Sequence, residues 1–256
     1  MGIDYSSITE IANEGAPRHQ LEILYARYLL ARRHSDQKDV LEVACGSGQG
    51  LGFLKSKARL VVGGDYTENL LQVANVHYRN GMPLLRLDAH DLPFADHSFD
   101  VILLYEAIYY LAQPARFLAE CRRVLRFGGR LLISTVNCEW ADFNPSPFST
   151  TYFSGRGLFD LLENQGFRVE LFGGFPDQKK GLKSKLLSFI KRTAVSFHII
   201  PKTMKGKGLL KRIFYGPLTP IPAEITEGMA EFTEPARLSP NDPLSSYKFI
   251  YAVAHL

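Results

Sequence analysis

A glycine-rich turn set between two apolar runs does most to limit what this chain can fold into. Val40-Leu41-Glu42-Val43 leads into Ala44-Cys45-Gly46-Ser47-Gly48-Gln49-Gly50, and a second run, Leu60-Val61-Val62-Gly63-Gly64, ends on Asp65. A strand, a tight turn, a helical segment and a second strand fit this spacing. Glycines at the turn let backbone N–H groups approach a ligand with no Cβ in the way. A carboxylate about twenty residues on, at the tip of the neighbouring strand, is placed to accept hydrogen bonds from ribose hydroxyls. The pattern therefore predicts a pocket for an adenosine-bearing cofactor. A plainer alternative stands beside it: the glycines only make a tight turn, and Asp65 only caps a helix that starts near Thr67.

The rest of the chain supports an alternating architecture. Residues 18–34 carry apolar positions at Leu21, Leu24, Tyr25, Tyr28 and Leu29, a helical spacing. Strands are expected near 39–44, 59–65, 83–87, 99–105 and 130–136, with helices between them, the last over 114–126. A further helix over 154–164, a strand over 166–171 and a closing strand over 247–254 follow. Such alternation means βαβ crossovers and a parallel sheet. Ligands in these sheets bind beyond the carboxyl ends of the strands, where Gly46, Asp65, Asp88 and Tyr105 all fall.

A dinucleotide fingerprint needs a third glycine where this chain has Leu51. Later segments point elsewhere: Leu87-Asp88-Ala89-His90-Asp91-Leu92-Pro93-Phe94, then Ser98-Phe99-Asp100-Val101-Ile102-Leu103-Leu104, then Arg122-Arg123-Val124-Leu125-Arg126-Phe127-Gly128-Gly129. In this order and spacing the chain resembles the class I S-adenosylmethionine-dependent methyltransferases, in particular the ubiquinone-biosynthesis and small-molecule subgroup. The likeness covers residues 38–172 and the final strand. It implies an α/β, Rossmann-like methyltransferase fold: a mostly parallel seven-stranded sheet with an antiparallel last strand, plus a basic insertion before that strand. It implies S-adenosyl-L-methionine as cofactor, held by Glu42, Ala44, Cys45, Gly46, Ser47, Gly48, Asp65, Tyr66, Asp88, Ala89, His90 and Tyr105. Within that set, Glu42 to Gly50 would wrap the methionine part, Asp65 the ribose and Asp88 the adenine amine. Ala44 and Phe127 depart from the usual Gly and Pro. Methylation of a small-molecule or saccharide-like acceptor at oxygen is the expected activity. Glu106, Tyr109 and His198 are the catalytic candidates, against the competing roles of capping acid and core aromatic for Glu106 and Tyr109.

Four regions are expected: an N-terminal helical cap (1–37), a cofactor-binding core (38–172), a basic insertion (173–246) and the closing strand (247–256). Residues 179–223 hold eleven Lys and Arg and no Asp or Glu, although the whole chain carries only +4. Leu182, Leu186, Phe189, Ile190, Phe197 and Ile200 form one stripe at helical spacing, with Lys183, Lys185, Lys191 and Arg192 off it. That amphipathic basic helix packs on the domain, rests on an anionic bilayer, or holds substrate phosphates. The second option gives an alternative function, methylation of a membrane-associated quinone or lipid-linked glycan. A third is a catalytically silent cofactor-binding regulator. Nucleic acid is disfavoured, because no stacking RNA-binding module is recognisable. Three cysteines without a C-x-x-C pair indicate neither a disulfide framework nor zinc, and no other metal cluster is visible. No run of 18 apolar residues exists, so the expected location is the cytoplasm, peripheral at the membrane if the basic helix docks there.

Overall fold

The computed structural model describes residues 4–9, 11–146, 148–176 and 218–256. After a short strand β1 (Gly15–Ala16), helix α1 (Arg18–Arg33) leads into β2 (Asp39–Val43), α2 (Leu51–Lys55), β3 (Leu60–Asp65), α3 (Glu68–Tyr78) and β4 (Leu84–Arg86). Then come β5 (Phe99–Tyr105), α4 (Pro114–Val124), β6 (Leu125–Val136), α5 (Gly155–Asn164) and β7 (Arg168–Pro176). The described C-terminal part holds β8 (Thr219–Pro220), β9 (Ala236–Leu238) and β10 (Tyr247–His255).

The main sheet runs β4-β3-β2-β5-β6-β10-β7-β9. Neighbours from β4 through β6 are parallel, and β10 lies antiparallel between β6 and β7. This is the expected Rossmann-like sheet with its antiparallel closing strand, with one strand more than the seven predicted. The addition, β9, pairs antiparallel with the outer edge of β7, setting Leu171 opposite Leu238 and Gly173 opposite Ala236. It covers an edge that would otherwise expose a row of unpaired backbone groups.

Strand β5 shows how both faces are buried. Ile102 and Leu104 join a core with Phe117, Leu118, Leu158 and Leu162 on the α4–α5 side. Val101, Leu103 and Tyr105 join Leu24, Tyr25, Tyr28, Leu51 and Leu54 on the α1–α2 side. A continuous apolar run is what a parallel strand covered on both faces requires.

Two elements differ from the sequence expectation for steric reasons. The strand expected at 166–171 continues to Pro176 through Gly173 and Gly174, where the insertion was expected to begin. A Cβ at either would lie 2.5 and 2.4 Å from the rings of Tyr247 and Tyr251 on β10, so the glycines admit those rings. The helix expected to reach 126 stops at Val124. The Arg126-Phe127-Gly128-Gly129 turn is instead a bulge within β6, and a Cβ on Gly129 would press on the Arg126 carbonyl oxygen at 2.8 Å.

The segment 218–238 lies across the outer face of α1. Ile221 and Ile225 are buried in the α1–α2 core, and β8 pairs with β1. Arg18 pairs with Glu231, Arg32 with Glu227 and Arg33 with Glu234. Exposed ion pairs contribute only about 0–1 kcal/mol each, so the two isoleucines do most of the seating and the charges set the register. The basic helix expected over residues 182–200 lies outside the described residues, as does His198.

Candidate functional site

A cavity of about 680 Å3 opens at the carboxyl ends of β2, β3 and β5, roofed by α1 and the short N-terminal turn. Its size is that of a small-molecule site. Glu42, Asp65, Asp88, Tyr105 and Glu106, each at or just past the end of a strand, line it together with Ala44, Cys45, Gly46, Tyr66, Ala89, His90 and Tyr109. Ser47 and Gly48 are not among the lining residues: Ser47 is buried, and Gly48 faces Ala74, Leu51 and the Tyr78 ring.

The β2–α2 turn is built around backbone in the left-handed region, with φ near +58° at Ala44, +58° at Gly46 and +78° at Gly48. At Ala44 that conformation costs about 1–2 kcal/mol relative to ordinary backbone. Gly50 serves another purpose. A Cβ there would sit 1.8 Å from the Tyr28 ring, so its absence lets α1 close onto the turn.

Asp65 ends β3 and joins two elements. One oxygen accepts from the Gly46 N–H and the other from the Thr67 N–H that opens α3, each at 2.8 Å. The N-cap of α3 is therefore Thr67 rather than Asp65, whose bond to the Thr67 N–H lies just ahead of the helix. Burial raises its carboxyl pKa above the usual value, against the pull of those N–H bonds. Each oxygen keeps a lone pair for a further donor.

Past β4, Asp88 accepts from the His90 backbone N–H at 2.9 Å and lies 2.7 Å from His90 Nδ1. Partial burial raises the Asp88 carboxyl, but the His90 bonds outweigh it and the net shift is downward. His90 Nε2 lies 3.2 Å from the Gln113 N–H at the start of α4 and accepts from it. That arrangement puts the ring proton on Nδ1, so His90 braces Asp88.

Deeper in, Glu42 is almost fully buried. It accepts from the Tyr28 hydroxyl at 2.5 Å, and burial lifts its carboxyl pKa to about 8. Among the described residues, neither Glu42 Oε2 nor the Tyr105 hydroxyl has a hydrogen-bond partner. Beside them lies Arg27, also buried and also lining the cavity. Its charge is felt by Tyr28, Glu42, Tyr105 and Tyr109. Sequence reading missed Arg27. The signal was there: it sits three residues after Leu24 and four after Ile23, on the helix face that reads as apolar, and a charged residue on that face needs a reason.

Glu106 follows β5 with φ near +52°. Its carboxylate accepts from the Ser134 hydroxyl at 2.8 Å and from the Tyr109 hydroxyl at 3.4 Å. Tyr109 stacks on Tyr152 with ring centroids 4.8 Å apart. The opposite end of the cavity is walled by His19, Gln20 and Ile23 of α1 and by Lys248 and Phe249 of β10. Among the described residues, no group of three or more His, Cys, Asp or Glu is arranged to hold a metal, and no helix is long and apolar enough to cross a membrane.

Comparison with known proteins supports the fold and the family. Residues 41–133 match the methyltransferase domain family. The chain is 35% identical over 168 residues to a probable S-adenosylmethionine-dependent methyltransferase of Mycolicibacterium smegmatis, a stretch covering 64% of each chain. It is 41% identical over 122 residues to the phthiotriol/phenolphthiotriol dimycocerosates methyltransferase 1 of Mycobacterium ulcerans, covering 43% of this chain and 44% of that one. The match thus spans less than two thirds of these relatives' length. Among solved structures, an S-adenosylmethionine-dependent methyltransferase from Thermotoga maritima shares the fold, with a TM-score of 0.55 at 17% identity over 92% of this chain and 96% of the other.

Proposed function

Taking as premise that residues 41–133 are a class I S-adenosylmethionine-dependent methyltransferase domain, we propose that this protein methylates a small-molecule or saccharide-like acceptor at oxygen. The observation that carries the reading is the convergence of Glu42, Asp65, Asp88 and Tyr105, from separate strand ends, on one cavity.

The residues present suit the cofactor. Asp65 offers lone pairs for ribose hydroxyls, and Asp88, braced by His90, offers an acceptor for the adenine amine. The unpartnered oxygens of Glu42 and Tyr105 beside the Arg27 guanidinium make a donor and acceptor set matched to an amino acid moiety. When bound, the cofactor supplies a methyl group already made electrophilic by its sulfonium. The protein then has two tasks. It holds the acceptor oxygen in line, where orientation supplies much of the acceleration, and it removes the hydroxyl proton. Glu106 is the candidate base, aimed by Ser134 and Tyr109 and held in a backbone conformation that is sparsely populated outside functional sites. Tyr109 helps to aim it. His198 is kept as a candidate on the sequence alone.

A second reading, a membrane-associated acceptor, draws support from the relatives named as phthiotriol dimycocerosates methyltransferases and from the basic run 179–223. Co-sedimentation with anionic liposomes, with and without residues 182–212, separates the two: unchanged sedimentation ends the docking idea. A fold of this kind also hosts proteins that transfer nothing, so turnover itself is measured. Glu106→Gln is expected to lower methyl transfer by roughly 100-fold, the usual share of a general base, with unchanged affinity for S-adenosylhomocysteine. An unaltered rate removes Glu106 from the mechanism. Cofactor binding without product across a broad acceptor panel favours the silent regulator.

A further inference from the structure

The end of the cavity away from the cofactor motifs has a consistent chemistry. Ile23 and Phe249 give it apolar walls, and His19 and Lys248 bring nitrogen to its rim from elements more than 200 residues apart. The Lys248 ammonium stands 5.4 Å from the Trp140 ring centroid and 5.2 Å from that of Phe249, in the range of cation–π contact. The His19 imidazole is packed edge-on to the Phe175 ring of β7 at 5.2 Å. We propose that the acceptor presents a carboxylate or phosphate on an apolar body, and that Lys248 and His19 receive that anionic group at the α1–β10 end of the cavity. The proposal rests on the cofactor reading above, since it assigns to the acceptor the part of the cavity the cofactor residues do not line.

The electrostatics fit. Partial burial, then the Lys248 charge, hold the His19 imidazole pKa below its ordinary value, with Glu22 of the same helix pulling the other way from 3.6 Å. Among the described residues, Glu22 from α1, Lys248 from β10 and the uncharged Phe175 ring from β7 face it. An arriving anion offsets the Lys248 field and lets His19 take a proton. Binding of the anion is then accompanied by proton uptake and weakens as pH rises.

The test uses the full chain saturated with S-adenosylhomocysteine and three probes of one shape: 2-naphthoate, 2-naphthyl phosphate and neutral 2-naphthamide. At least one anion is expected to bind roughly tenfold more tightly than the amide, about 1.4 kcal/mol. The better of the two anions identifies a carboxylate or a phosphate-type acceptor, and either result upholds the site. Lys248→Met is expected to erase the preference and Lys248→Arg to retain it, with cofactor affinity and melting temperature unchanged in both. His19→Gln is expected to remove the pH dependence and the proton uptake, read by calorimetry in buffers of different ionisation enthalpy. Equal or weaker binding of both anions overturns the proposal, as does a preference that survives Lys248→Met. Failure of S-adenosylhomocysteine itself to bind is a separate result, and it takes down the cofactor reading together with everything built on it.

Discussion

The two ends of the cavity are made in different ways. The proposed cofactor end is local: Glu42 to Gly46, Asp65 with Tyr66, and Asp88 to His90 each sit where one strand stops, and backbone hydrogen bonds fix Asp65 and Asp88 to their neighbours. The proposed acceptor end is assembled from a distance, from α1, the residues after β5, and the first residues of β10. A site built from strand ends is set mainly by the sheet, with Arg27 and Tyr28 of α1 closing over it. A site built from a helix and a remote strand depends on how that helix is seated.

Three changes bear on this contrast, taken from the largest expected effect down. Gly50→Ala drives a Cβ into the Tyr28 ring and so displaces α1, which both ends share. Overpacking of this kind costs about 2–3 kcal/mol, measurable by urea denaturation, and binding of cofactor and acceptor should weaken together. Loss at only one end would mean that α1 does not couple them.

Asp65→Ala should act at one end. Cofactor affinity is expected to fall by about 1–3 kcal/mol, the cost of unmade hydrogen bonds to ribose, when titrated by calorimetry. Acceptor probes should bind the remaining protein as before. Unchanged cofactor affinity would displace the pocket from this strand end.

Glu42 gives the gentlest effect per pH unit, spread over several units. Its carboxyl pKa is lifted by burial from 4.5 to about 8, so between these values the folded protein holds a proton the unfolded chain has lost. Stability from this group is complete below the unfolded pKa and declines as pH rises toward the folded one, by at most about 1.4 kcal/mol per unit. Glu42→Gln should flatten that decline in denaturation curves taken from pH 5 to 8 (roughly the window between the two pKa values). A slope unchanged in the variant would assign it to another group.

The same contrast explains what could be read from the residues. The parallel sheet, its crossovers and the strand-end residues were legible because a strand, a turn and a carboxylate at fixed spacing have few ways to fold. Lys248 was not, since nothing in a sequence says which face of a distant helix meets which end of a late strand. The resemblance implies Gly48 as a cofactor contact; its missing Cβ also makes room for Leu51, Ala74 and Tyr78, and that of Gly50 makes room for Tyr28. Gly173 and Gly174 looked like the end of a strand for the same reason: the tyrosines that need the space lie more than seventy residues on. Strand β9 is only three residues long, too short to leave an alternating pattern.

The place of β10 has a consequence for how the molecule comes into being. It follows both β7 and β9 in the chain, yet it is inserted between β6 and β7, holding the one through Phe249 to His255 and the other through Tyr247 to His255. A nascent chain that has emerged only as far as β7 therefore has β6 with one bare margin and β7 with no neighbour at all. The right-hand third of the sheet must wait for some seventy further residues (β7 ends at Pro176, β10 starts at Tyr247). During that interval two margins are open to other chains, and removing β10 should unzip both neighbours at once.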